Sequence, residues 1–248
     1  MLMDMDPFSL GLIALVVVLT GISKSGFAGA LGIFSVPLLL LVLSPQQALG
    51  LMLPLLLLAD MFSLKSYWRQ WDSARLRVLL PGVAIGLLLG SLLLGHLPTL
   101  WLQGLIGSLS CLFALRYLLG RHLRGAWLAS RPAGLVLASA SGLSSTLLHA
   151  GGPPLMMHLL SLILPSATLV ATSAVVYAGM NVAKLLPFVY YGVLDWHLVG
   201  LALVFFPLTW LGNRLGLWLR TRLNHRVFMG ILHGLLLLMG IKLIWQAI

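Results

Sequence analysis

Apolar residues run almost without interruption along this chain, so the few places where they stop carry most of its information. Ten apolar segments are predicted, at 7–20, 31–43, 47–66, 76–95, 97–119, 132–148, 153–164, 167–191, 198–219 and 227–247. The runs are continuous, not alternating, which predicts a bundle of membrane-spanning helices and argues against a barrel. Segments 7–20, 31–43, 132–148 and 153–164 lie at or below the usual ~17-residue minimum for crossing. They form two pairs, each split by a glycine-rich break: 21-GISKSGFAGALG-32 and 142-GLSSTLLHAGGPP-154.

The two breaks can be laid over one another. With Gly21 placed on Gly142, the same shift sets Asp60 on Asn181. A slightly larger shift aligns 81-PGVAIGLLLG-90 with 207-PLTWLGNRLG-216, Gly104 with Gly230 and Arg116 with Lys242. Residues 1–120 and 132–248 are therefore expected to be two transmembrane copies of one unit, joined by a basic linker at 121–131. Each copy is expected to hold a broken or re-entrant first helix pair followed by three full spans.

Composition agrees with this reading. The chain is 60% hydrophobic and 8% charged, far below the ~25% charged residues of a soluble domain. Its net charge of +10 is dispersed in short clusters between apolar runs, a placement that excludes nucleic acid as the partner. Lys65, Arg69, Arg75 and Arg77 form one cluster, Arg121, Arg124 and Arg131 a second, Arg220, Arg222 and Arg226 a third. The connections at His96-Leu97-Pro98 and Asp195-Trp196 carry no basic residue. By the positive-inside rule the three clusters face the cytoplasm and both termini face outward. Equivalent connections of the two copies then lie on opposite sides, the mark of an inverted-topology repeat with a site near the midplane. The lone Cys111 excludes an internal disulfide, and the first ten residues lack the basic start of a signal peptide.

Irregular backbone survives at membrane depth only where it is buried in protein or lines a cavity. Half-helix N-termini facing such a cavity offer free N–H donors and positive potential, a natural anion site. Ser23, Lys24, Gly26 and Gly29 belong to the first break; Ser144, Ser145, His149, Gly151 and Gly152 belong to the second. Within the spans, Asp60, Asn181 and Lys184 are costly to bury and so are functional candidates. Asp60 has Lys24 or Lys184 available as a partner, and in a dry site it is also a candidate proton carrier. A purely stabilising Asp–Lys pair explains the same residues. Gly82, Gly86, Gly90, Gly212 and Gly216 read as ridges for close helix packing, and Lys65 and Arg116 as snorkelling cations. Arg214 fits either role; His158 and His233 read as packed. The sequence has no glutamate, no HExxH, Walker or GxSxG motif and no metal-ligand spacing, which speaks against an enzyme, a cofactor or a metal site.

The pieces 23-SKSGFAGALGIFSVP-37, 44-SPQQA-48, 53-LPLLLLAD-60, 149-HAGGPP-154, 171-ATS-173 and 181-NVAKLLPF-188 resemble the TauE/SafE sulfite exporter family across nearly the whole chain. Members of that family usually carry a denser GGFGGG after the lysine, where this chain has SGFAGA. The resemblance implies a multi-spanning permease of the bacterial inner membrane that exports sulfite or an organosulfonate, and it adds Thr172 and Ser173 to the candidate site. The expected partners are a small anion and the lipid bilayer, with a homo-oligomer an open option. The expected mechanism is alternating access with Asp60 carrying the coupling proton. An uncoupled anion channel or a non-transporting membrane scaffold is the competing expectation.

Overall fold

The computed structural model describes residues 6–26, 29–96, 98–119, 126–162, 164–219 and 225–247. Arg121, Arg124, Arg220, Arg222 and Leu97 of the predicted connections, and residues 121–125 of the predicted linker, lie outside them. The described residues are helical, with no strand among them. In order the helices are α1 (Pro7–Gly26), α2 (Ser35–Leu39), α3 (Pro45–Ser66), α4 (Ser73–His96), α5 (Thr99–Leu118) and α6 (Arg131–Leu148). They continue with α7 (Gly152–Leu159), α8 (Ser166–Tyr190), α9 (Trp196–Val204), α10 (Phe206–Leu219) and α11 (His225–Ala247). A 3-10 turn, Ala30–Phe34, leads into α2.

Four of these helices, α1, α3, α4 and α8, are long and apolar enough to cross a membrane. The pair α9–α10, bent by 53° at Phe205, makes a fifth if counted as one span. The predicted segment 198–219 is thus broken, not straight. At 5 and 8 residues, α2 and α7 are far too short to cross alone.

The predicted segment 7–20 is also corrected: α1 is 20 residues long and runs straight through GISKSG. Helix-weakening serines and glycines are tolerated there because their hydroxyls fold back onto the helix and the glycines admit a neighbour. Thr20 Oγ1 donates to the Val16 carbonyl at 2.8 Å, and Ser25 Oγ lies 3.0 Å from the Gly21 carbonyl and 2.9 Å from that of Asn213. The same holds in α6, where Ser144 donates to Ala140 at 2.8 Å and Thr146 to Gly142 at 3.0 Å. The helices end later than the start of each predicted break, α1 at Gly26 and α6 at Leu148.

Two seams of close backbone approach organise the bundle, and both cross between the halves. Along α1 and α10, a β-carbon on Gly21 would lie 2.6 Å from the Thr209 carbonyl and 2.7 Å from the Asn213 nitrogen. Along α6 and α4, one on Gly142 would lie 2.5 Å from the Val83 carbonyl and 3.0 Å from the Leu87 nitrogen. A third long contact joins α5 to α11.

Polarity is distributed inside out relative to a soluble protein. Leu186, Tyr190, Trp196 and Trp245 are exposed, while Lys24, Asp60, His149, Asn181 and Lys184 are buried. Local signals fix the helix starts: Ser44 and Gln47 form a capping box for α3, and Ser130 caps α6.

Candidate functional site

The two breaks face each other across a small, partly open cavity. From the first half come Lys24 at the end of α1, Gly29 and Gly32 in the break, and Leu56 on α3. Ser145, His149, Gly151 and Gly152 come from the end of α6 and the start of α7, and Tyr177 and Asn181 from α8.

Each break is held open by backbone geometry that the sequence permits. Gly29 sits at φ 77°, a left-handed conformation that glycine adopts without steric cost, and its N–H donates to the Ser23 carbonyl at 2.9 Å. On the other side His149 takes the left-handed position at φ 51° and ends α6. Around it, Ser141 donates to the Gly151 carbonyl at 2.6 Å and Ser144 reaches the Ala150 carbonyl at 3.0 Å. These hydroxyls satisfy backbone groups that would otherwise be orphaned in an apolar interior. The 8-residue helix α7 then starts at the cavity wall, so its positive end faces inward. The first break is arranged alike: the C-terminal end of α1, with Lys24 in its last turn, and the start of the 3-10 turn at Gly29 both border the cavity.

The charged groups form two linked sets. Lys24 Nζ lies 2.5 Å from Asp60 Oδ1, and Asn181 Nδ2 donates to Asp60 Oδ2 at 2.6 Å. Lys24 also sits 4.7 Å from the centroid of the Tyr177 ring, a cation–π distance. Lys184 is fully buried and has no carboxylate within hydrogen-bonding reach among the described residues. Its ammonium reaches the Ser145 carbonyl at 3.2 Å, Ser145 Oγ at 3.1 Å and His149 Nδ1 at 2.8 Å. His149 Nε2 lies 3.0 Å from the Leu49 carbonyl, which can only accept. The hydrogen therefore belongs on Nε2, leaving Nδ1 to accept from Lys184. Lys184 is thus held one layer behind the cavity wall, fixing Ser145 and His149.

Of the residues predicted from sequence, Lys24, Gly29, Ser145, His149, Gly151, Gly152 and Asn181 line the cavity. Asp60 and Lys184 are bonded to lining residues. Gly26 faces α10 instead, where a β-carbon would come within 2.6 Å of the Gly216 carbonyl. Ser23 is buried in α1 and supplies the carbonyl that holds Gly29; Ser144 bonds to carbonyls of the second break. Thr172 and Ser173 are not brought to the cavity. Thr172 Oγ1 accepts from the Asp72 N–H at 3.0 Å and donates to the Thr168 carbonyl, while Ser173 donates to Val170. Arg116 is half-buried against Met157, and His233 stacks on Tyr117 with a centroid distance of 3.9 Å. Gly32, Leu56 and Tyr177 were not predicted. Tyr177 had a readable signal: with Asn181 and Lys184 it lies at i, i+4 and i+7, one face of a helix.

The family described as Sulfite exporter TauE/SafE matches residues 13–243 of this chain. Comparison with curated proteins and with solved structures returns no match. The match covers both breaks, the cavity and the helices that carry them, and the helices are those of a multi-pass membrane protein. The chain therefore belongs to the TauE/SafE sulfite exporter family.

Proposed function

We propose that the chain is a secondary transporter that moves a small sulfur-containing oxyanion, of the sulfite or organosulfonate class, out of the cell by a proton-coupled mechanism. The observation that carries this reading is the charge at the cavity. Two buried lysines, Lys24 and Lys184, stand against one buried carboxylate, Asp60. A buried charge is costly until it is paired, so an anion entering the cavity completes the site. Ser145, His149 and the N-terminal end of α7 surround the place where it would sit.

Asp60 supplies the coupling in this reading. Its two oxygens hold Lys24 and Asn181. Protonation would loosen the grip on Lys24 and leave that ammonium free for the anion, so proton and anion would bind and cross together, with the anion's own outward gradient driving both. Lys24 would then balance Asp60 in one state and meet the substrate in the other.

We further propose that residues 1–120 and 132–248 are inverted repeats, with the basic connections in the cytoplasm and both termini outside the bacterial inner membrane. The equivalent placement of Gly21 on α10 and Gly142 on α4 supports this, as does the Asp60–Asn181 contact between aligned positions. Since each seam ties a helix of one half to a helix of the other, the bodies that rock during alternating access would each draw on both halves.

The test is flux in proteoliposomes for sulfite, thiosulfate, sulfate, sulfoacetate and taurine, with and without a pH gradient. Flux of sulfite or an organosulfonate that rises with the gradient is expected. No flux for any of them overturns the transporter reading in favour of a scaffold. Flux that ignores the gradient removes Asp60 as the coupling group and leaves an anion channel.

A further inference from the structure

The polar side chains lining the cavity are each engaged by the protein, with one exception. Lys24 and Asn181 are held by Asp60, Ser145 by Lys184, and His149 by Leu49 and Lys184. The Tyr177 hydroxyl lines the same cavity, is buried, and has no hydrogen-bond partner. Tyr177 as a whole is only 6% exposed. A buried hydroxyl without a partner is costly, and phenylalanine would fill the same space without that cost.

The ring is fixed from two sides. Lys24 stands over it at 4.7 Å. Gly29 passes so close that a β-carbon there would lie 2.7 Å from Tyr177 Cε2, which makes the first break part of the ring's socket. From α8 the same face also presents Asn181 and Lys184, so the ring stands among the groups that line and back the cavity. We infer that the Tyr177 hydroxyl is a direct ligand of the transported anion, donating its O–H to an anion oxygen. A phenol donates readily and, beside the partnered groups around it, would give the site a donor not committed to the fold. This assignment deepens the proposed function and rests on it.

The test is Tyr177→Phe in the full chain, with sulfite as the probe. Two quantities are read: the apparent affinity, from sulfite-dependent thermal stabilisation in detergent and from the flux KM, and the thermal stability without anion. The expected result is an affinity loss of about tenfold, the usual scale for one hydrogen bond to a charged partner. Stability without anion should be unchanged or raised, because the variant removes an unpaired polar group. Unchanged sulfite affinity would overturn the assignment, and so would reduced stability without anion, which would mean that the fold already uses the hydroxyl. If instead the unmutated chain shows neither sulfite-dependent stabilisation nor flux for any anion in the panel, the proposed function itself fails, a result distinct from a silent Tyr177→Phe.

Discussion

The two buried lysines sit on opposite sides of one cavity and are treated differently by the fold. Lys24 has a carboxylate at 2.5 Å and an aromatic face beside it. Lys184 is buried more deeply and has only a carbonyl, a hydroxyl and an imidazole nitrogen. Hydrogen bonds satisfy its three donors but leave its charge without a counter-ion. The first lysine is thus held in an ion pair; in the proposed function that pair is the one a proton loosens, and the second lysine is the one that an incoming anion would compensate. One chemical group, placed twice, does two jobs because its acceptors differ.

The largest effect should come from breaking the paired side. Asp60→Ala leaves Lys24 buried without compensation, a change that costs about 3–5 kcal/mol in comparable buried pairs. It should appear as a strong loss of thermal stability in detergent, and adding Lys24→Met should restore much of it. Lys184→Met should behave in the opposite sense. It removes a charge that the fold never compensated, so the stability loss should be smaller than for Asp60→Ala, while sulfite affinity falls about tenfold or more. Equal stability losses for the two variants would erase the distinction drawn between the lysines.

Smaller changes sharpen it. His149→Asn keeps a residue that tolerates the left-handed position and loses the hydrogen bonds to Leu49 and Lys184, about 1–3 kcal/mol together. His149→Val forces a β-branched residue into the same backbone and should cost roughly 1–3 kcal/mol more; comparing the two melting temperatures isolates the strain. Smallest of all, and away from the cavity, Thr172→Val should lower stability by about 0.5–1.5 kcal/mol through the lost Asp72 contact. It should leave sulfite affinity untouched, and a fall in affinity would return Thr172 to the site.

Much of this arrangement was legible in the sequence, because charge in an apolar chain is conspicuous. Lys24, Asp60, Asn181, Lys184 and His149 stood out against their neighbours, and the burial cost that makes them rare also brings them together. Helix ends were less legible. Serine, threonine and glycine predict a break in water, but in an apolar interior Thr20, Ser25, Ser144 and Thr146 turn their hydroxyls onto helix carbonyls, and α1 and α6 continue. Thr172 and Ser173 do not line the cavity for a related reason: a hydroxyl near a site in sequence can be consumed by its own helix. Tyr177 was missed because an aromatic residue in an apolar run carries no contrast, although its spacing to Asn181 and Lys184 placed it on their face.

The α1–α10 seam also sets the order in which the chain can be assembled. Ser25 meets the Asn213 carbonyl 188 residues downstream. At about 5–20 residues per second of synthesis, α1 waits on the order of ten to forty seconds before its final neighbour exists. During that interval its lysine cannot be left alone in lipid. Asp60 lies only 36 residues after Lys24, so the ion pair is available early, long before the cavity it will border. The same ion pair can thus serve as the nascent chain's holdfast, keeping the earliest helix in the membrane until the latest ones arrive.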